Sequence, residues 1–202
     1  MTAWEFATST ATQTQQLAEN LARLLRAGDL VILSGELGAG KTTFTQGLGR
    51  SLGVREGIIS PTFVLVRIHP NLADGHNPGG PDLVHVDAYR LATPGEIDDI
   101  DLENTMDTSV TVVEWGVDRV EHLAASRLDI ELVRAVGGAL PAPGDETLGQ
   151  TEDADDGSMD FADTFDADED DDEPRTLRLN AVGPRWDGID FSVLGQLVNT
   201  TE

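Results

Sequence analysis

One eight-residue segment constrains the fold of this chain more than any other feature. Residues 35–42 read Gly-Glu-Leu-Gly-Ala-Gly-Lys-Thr and match the pattern G-x-x-x-x-G-K-T in full. In this pattern the glycines let backbone N–H groups approach phosphate oxygens, the lysine reaches the β- and γ-phosphates, and the threonine hydroxyl ligates magnesium. Such a phosphate-binding loop, or P-loop, lies between a strand and a helix, so the segment also predicts its neighbours.

Both neighbours are recognisable in the sequence. Residues 30–33 are a short apolar run, Leu-Val-Ile-Leu, which is typical of a buried parallel strand. After the loop, Phe44, Leu48 and Leu52 recur at helical spacing as far as Gly53. An accidental glycine-rich turn is the alternative, but Lys41 is the only lysine of the chain and stands at the position where the pattern needs an ammonium group.

The remaining pattern indicates an α/β protein. Further strands are predicted at residues 62–68, 83–87, 110–113, 127–133 and 176–179, and helices at residues 12–27 and 190–198. Because strands and helices alternate over the first half, we predict a three-layer α/β fold of the P-loop NTPase type. Its sheet should be mainly parallel, with antiparallel edge strands.

The acidic residues are concentrated in one segment. Residues 145–173 contain 15 acidic and no basic side chains, which accounts for most of the net charge of −24. Few large apolar groups occur there, so the segment cannot bury enough surface to offset the entropy of ordering. We therefore predict an ATPase domain at residues 1–136, a disordered acidic insertion at 137–174, and the last strand and helix of the same domain at 175–202.

Composition narrows the possible chemistry and location. The chain has no cysteine, which excludes disulfides and thiolate sites. No apolar run is long enough to span a bilayer and the first ten residues do not resemble a signal peptide, so we expect a cytoplasmic protein that does not contact a membrane. A net charge of −24 would ordinarily argue against direct binding of nucleic acid, but it is unevenly distributed, since the residues outside 145–173 carry only −9.

Two predicted strands end in carboxylates, Asp87 and Glu114. Ligands of open α/β sheets bind beyond the carboxyl ends of the strands, where these side chains would meet the P-loop. A single carboxylate in such a place is more often a turn or a cap, but two beside a complete P-loop favour a catalytic role. We predict that both are catalytic and hold magnesium together with Thr42, and that Glu114 binds the metal or orients the attacking water.

Four segments together resemble the TsaE family in their order and spacing. They are residues 35–44 (GELGAGKTTF), 60–63 (SPTF), 85–91 (HVDAYRL) and 114–115 (EW). The last two segments are more specific than the P-loop, which many families share. The similarity extends over about residues 12–132 and resumes at 175–179, whereas the acidic insertion, and Gly116 where a proline is common, depart from the family pattern.

The resemblance implies a magnesium-dependent ATPase that works with TsaB-like and TsaD-like partners to form N6-threonylcarbamoyladenosine (t6A) in tRNAs. The tRNA would be contacted only through the complex, and the carbamoyl transfer would belong to the TsaD-like protein. The resemblance also implies that Thr62 senses the nucleotide, that Thr14 lies at the adenine edge and that Arg175 lies near the nucleotide; from physics alone, the segment around Thr62 is equally well a proline turn. The predicted nucleotide-binding residues are Gly35, Leu37, Gly38, Ala39, Gly40, Lys41, Thr42, Thr43, Thr62, Thr14 and Arg175.

A small-molecule kinase of the P-loop class is the alternative function, because the same elements serve phosphoryl transfer to an acceptor. Its arginine-rich lid has no clear counterpart, since Arg119, Arg127 and Arg134 are scattered. A guanine-specific switch protein is disfavoured, because the base-reading motif Asn-Lys-x-Asp needs a lysine beyond the P-loop.

Overall fold

In the computed structural model, the described residues 3–91, 93–98, 100–134 and 173–198 form one mixed sheet with helices on both faces. The strands are β1 (Ala3–Thr8), β2 (Leu30–Ser34), β3 (Val66–His69), β4 (Asp82–Asp87), β5 (Ser109–Glu114), β6 (Arg127–Arg134) and β7 (Arg175–Val182). The helices are α1 (Ala11–Ala22), α2 (Lys41–Leu52), α3 (Pro94–Asp98), α4 (Glu103–Met106) and α5 (Val193–Val198), with 3-10 turns at Glu121–Leu123 and Pro184–Trp186.

The strand order is β1-β7-β6-β2-β5-β4-β3. At the centre β2 is parallel to both β5 and β6, and β4 is parallel to β5. Toward the edges β7 is antiparallel to β6 and β1, and β3 is antiparallel to β4. The predicted fold class, with parallel central strands and antiparallel edges, is confirmed.

The central strand β2 is buried on both of its faces. Val31 and Leu33 pack into the core under α1 and α2, whereas Leu30 and Ile32 belong to the core on the opposite face, with residues of α3 and α4. Burying each such side chain contributes about 1.5–3 kcal/mol. The continuous apolar run at residues 30–33 therefore forms the middle of three layers.

Several predicted boundaries differ from the structure; the C-terminal helix, for example, begins at Val193 instead of residue 190. The strand expected at residues 62–68 is confined to β3, because a turn comes first: the Pro61 carbonyl accepts from the N–H of Val64 and of Leu65, and Leu65 has a φ of +66°. Helix α1 begins after Thr10, whose side chain accepts a hydrogen bond from Gln13 N, and it ends at Ala22 instead of residue 27. Strand β1 was not predicted at all.

The predicted acidic insertion at 137–174 lies outside the described residues, apart from its last two positions. The strands that flank it, β6 and β7, pair from Arg127 with Val182 to Arg134 with Arg175. Within the described ranges, no helix is long and apolar enough to cross a membrane.

Candidate functional site

The P-loop connects β2 to α2 in a conformation that requires glycine. Gly35 has a φ of +135°, and a Cβ atom there would lie 2.3 Å from the Leu132 carbonyl oxygen. Gly38 and Gly40 also have positive φ, at +76° and +97°. Gly40 caps α2 without any side-chain hydrogen bond, which leaves the first N–H groups of the helix available to an anion.

Lys41 lies inside this loop. Its Nζ donates to the carbonyl oxygens of Gly35 at 2.9 Å and Glu36 at 2.8 Å, and it stands 3.9 Å from the centroid of the Trp115 ring. Burial lowers the pKa of Lys41 below its ordinary value, and the negative charges of Glu114 and Asp87 oppose that shift. The ammonium group is therefore held close to both predicted catalytic carboxylates.

Glu114 ends β5 and is almost completely buried. Its Oε1 atom accepts two hydrogen bonds, one from the Thr42 hydroxyl at 3.0 Å and one from His85 Nε2 at 2.8 Å. Because Thr42 is in the first turn of α2 and His85 is in β4, this single oxygen connects the P-loop helix with two neighbouring strands.

Asp87 ends β4 and is the register partner of Glu114 on β5. Its Oδ2 atom accepts from the Ser60 hydroxyl at 2.9 Å and the Thr62 hydroxyl at 2.5 Å, while Oδ1 accepts from the Tyr89 N–H at 2.9 Å. The segment before β3 is thus attached to the second carboxylate. This contact brings the predicted nucleotide-sensing residue Thr62 to the same edge of the sheet.

Two arginines lie against the glycines of the loop. A Cβ atom on Gly40 would lie 3.3 Å from Arg175 Nε, and one on Gly38 would lie 3.1 Å from a guanidinium nitrogen of Arg134. Arg175 is buried and donates to the Glu173 carbonyl at 3.1 Å, and Arg134 Nε donates to the Glu173 carboxylate at 2.7 Å. The start of β7 and the end of β6 therefore form one side of the loop.

The other predicted nucleotide-binding residues have different surroundings. Leu37 is exposed, Ala39 is buried and Thr43 is half-buried. Thr14 is fully buried in α1, and its hydroxyl bonds with the Thr8 hydroxyl at 2.9 Å and with the Thr10 carbonyl at 3.2 Å. Its assignment to the adenine edge stays a prediction, as do the other nucleotide contacts.

Sequence reasoning gave no role to two side chains that belong to this cluster. His85 contacts Glu114, and Ser60 contacts Asp87. A signal for His85 was available, because residues two apart in a strand share a face and His85 precedes Asp87 by two. For Ser60 only the neighbouring Pro61 and Thr62 gave a hint, since the contact depends on how the turn before β3 folds.

Comparison with known proteins finds relatives of the chain. The family model described as threonylcarbamoyl adenosine biosynthesis protein TsaE matches residues 8–137. A tRNA threonylcarbamoyladenosine biosynthesis protein TsaE of Streptomyces coelicolor is 45% identical over 181 residues, 89% of this chain and 98% of that protein. The protein of the same name from Mycobacterium leprae is 44% identical over 128 residues, 60% of this chain and 76% of that protein. A crystal structure of Bacillus subtilis YdiB has a TM-score of 0.57 at 26% identity and covers 98% of this chain and 94% of that one.

Proposed function

The chain belongs to the TsaE family of threonylcarbamoyl adenosine biosynthesis proteins, and we propose that it is a magnesium-dependent ATPase that acts with TsaB-like and TsaD-like partners to form t6A in tRNAs. The observation that carries this proposal is the cluster at the mouth of the P-loop. There Lys41, Thr42 and Glu114 lie beside Asp87 in one electrostatically coupled group. A P-loop of purely structural use would not need two buried carboxylates next to its lysine.

Binding of the triphosphate requires Lys41 to exchange its hydrogen-bond acceptors. Its Nζ leaves the carbonyl oxygens of Gly35 and Glu36 and takes the β- and γ-phosphate oxygens, which are stronger acceptors because they are charged. The N–H groups at the start of α2 bind the same phosphates and the positive end of the helix dipole favours them. Arg175, which lies against Gly40, adds a fixed positive charge beside the loop.

The oxygen atoms of the cluster fit a magnesium ion. Thr42 offers a hydroxyl and Asp87 and Glu114 offer carboxylates, and oxygen is the ligand type that magnesium prefers. These three residues are the ones that would hold it. When bound, magnesium neutralises charge on the phosphates during their transfer.

Glu114 has the position of a residue that orients water. Oε1 is already engaged by Thr42 and His85, whereas Oε2 makes no hydrogen bond within the described residues. That free oxygen can accept a hydrogen bond from a water and align it with the γ-phosphate. Asp87 has a second task beside its proposed place at the magnesium, since its two oxygens also accept from Ser60, Thr62 and the Tyr89 N–H. It links the segment at residues 60–63 to the site.

Partners and location follow from the family's role in t6A formation. The chain carries a net charge of −24, so we propose that tRNA is contacted through the partner proteins instead of directly. We place the reaction in the cytoplasm, where tRNA is modified. The relatives' names refer to t6A biosynthesis, which supports this assignment.

A reconstituted assay tests the proposal. The protein is combined with TsaB-like and TsaD-like partners, ATP and unmodified tRNA, and both phosphate release and t6A are measured. Lys41→Ala should abolish ATP binding, whereas the control Arg178→Ala should not, because Arg178 is an exposed residue that pairs with Glu5 and Glu131. Normal nucleotide affinity in Lys41→Ala contradicts the site. Phosphate transfer to a small acceptor, with none released to water, would instead support the small-molecule kinase.

A further inference from the structure

His85 is a fully buried polar residue on the central sheet. It lies in β4 with its side chain on the same face as Leu83, and its register partner on β5 is Val112; both of these belong to the apolar core under α1 and α2. A histidine among apolar side chains is costly unless its ring nitrogens are hydrogen-bonded. One of them is bonded, since Nε2 lies 2.8 Å from Glu114 Oε1. The other, Nδ1, has no partner in the described part of the chain.

The partner of Nε2 determines where the proton is. A carboxylate oxygen only accepts hydrogen bonds, so Nε2 must carry a hydrogen and donate it to Glu114. The imidazole is therefore a fixed N–H donor that points at one oxygen of the carboxylate.

The same oxygen has a second donor that is not permanent. Thr42 Oγ1 donates to Oε1 at 3.0 Å, but the P-loop pattern also assigns this hydroxyl to magnesium. When the Thr42 hydroxyl takes that role, His85 is the remaining donor to Oε1 among the described side chains. The orientation of Oε2 toward the γ-phosphate then depends on the hydrogen bond from His85.

We propose that His85 is the positioning residue of Glu114, holding Oε1 so that Oε2 faces the attacking water. This inference rests on the proposed function, because it assigns a task to a residue that acts through the water-orienting carboxylate. His85 itself touches neither substrate nor metal in this arrangement. Removing its N–H should therefore leave nucleotide binding intact and slow hydrolysis. Losing a hydrogen bond that orients a residue of the site typically lowers activity about 10- to 100-fold.

Three substitutions separate positioning from packing. His85→Phe keeps a flat ring and removes the donor, His85→Gln places an amide N–H near the position of Nε2, and His85→Asn is too short to reach Oε1. Thr111→Val is the matched control, because Thr111 is a buried residue of β5 with an unpartnered hydroxyl and its register partner is Val84, on the opposite face of the sheet from Glu114. ATP affinity and steady-state turnover are measured for each with the partners present.

We expect His85→Phe and His85→Asn to lower kcat about 10- to 100-fold with ATP affinity within about twofold of wild type. His85→Gln should recover most of the rate, and Thr111→Val should not change it. Unchanged turnover in His85→Phe overturns the proposal, as does an equal loss of affinity and rate. If His85→Phe does not fold, the comparison of Gln with Asn decides: equal rates in those two variants contradict a role for the donor.

The tautomer provides a readout that does not depend on turnover. Long-range proton–nitrogen NMR spectra of the nucleotide-free protein should assign the His85 hydrogen to Nε2, and Thr42→Val should leave that assignment unchanged. An Nε2 without a hydrogen would overturn the proposal. The two proposals fail in different ways. If the wild-type complex has no ATPase activity, the proposed function is wrong. If it is active and the His85 variants have the same turnover, only the positioning role of His85 is wrong.

Discussion

Replacing Glu114 by glutamine removes one negative charge from the site and keeps the size of the side chain. The amide oxygen can still accept from Thr42 and His85, so both hydrogen bonds seen at Oε1 can persist. A hydrogen bond to a charged group contributes about 1.5–3 kcal/mol and a neutral one about 0.5–1.5 kcal/mol, so some stability is lost. Relief from burying a charge offsets part of that loss. We expect the free energy of unfolding to change by no more than about 2 kcal/mol.

The effect on turnover should be much larger than the effect on stability. Losing a group that orients or activates water typically costs about 10²- to 10⁴-fold in rate, or roughly 2.7–5.4 kcal/mol in the barrier. Nucleotide binding should be preserved, because Lys41 and the N–H groups of α2 are unchanged and one negative charge near the phosphates is gone. Glu114→Gln should therefore bind ATP and assemble with the partners, but fail to support repeated rounds of t6A formation.

The assay for this variant is multiple-turnover phosphate release and t6A formation in the reconstituted complex, together with ATP affinity and thermal unfolding. Glu131→Gln serves as control, since Glu131 is an exposed glutamate on β6, which is separated from β5 by β2, and it pairs with Arg178. Wild-type turnover in Glu114→Gln would refute the water-orienting role and leave Asp87 as the carboxylate to test. A parallel collapse of ATP affinity would instead indicate that Glu114 acts in binding.

Two further predictions test the loop. Gly35→Ala should destabilise the protein by about 1–3 kcal/mol more than Gly28→Ala in denaturant unfolding. Both glycines have positive φ, but only at Gly35 would a Cβ atom collide with the Leu132 carbonyl. Equal losses of stability in the two variants would contradict this close approach. Because burial lowers the pKa of Lys41, ATP affinity should be constant below that pKa and fall as the pH rises through it, starting below the range of an ordinary lysine. Lys41→Arg should remove this alkaline fall, and a fall of the same size in that variant would show that another group is responsible.

The centre of the fold could be predicted because its signals are local. The apolar run at residues 30–33, the glycine pattern after it and the helical spacing of Phe44, Leu48 and Leu52 are each contained in a few consecutive residues. The edge strand β1 could not be predicted in this way, since its pairing partner β7 is far away in the sequence and Ala3 pairs with Asn180. Its short alternation becomes a strand only when that partner is present.

In the candidate site, too, the residues with local signals could be predicted and the contacts between distant segments could not. Lys41, Thr42, Asp87 and Glu114 follow from motif and strand ends, because the ends of parallel strands meet at one edge of the sheet. The contact between His85 and Glu114 joins residues 29 positions apart on two strands, and neither local pattern contains it. A proline turn at residues 60–63 was one of the two interpretations, but its extension to Leu65 was not predicted, because Leu65 adopts a positive φ that nothing in its residue type favours.

The position of β7 between β1 and β6 has a consequence for how the protein is made. During synthesis β1 emerges first, yet it cannot join the sheet until β7 has been translated, since β1 pairs with β7 and not with β6. Strand β1 ends at Thr8 and β7 begins at Arg175, so at about 5–20 residues per second the ribosome needs roughly 10–30 s to supply the missing partner. Strand β6 is complete at Arg134, so its edge stays unpaired only for the last roughly 2–8 s of that interval, until β7 is made. A nascent-chain chaperone has its best opportunity to bind that edge in this shorter period.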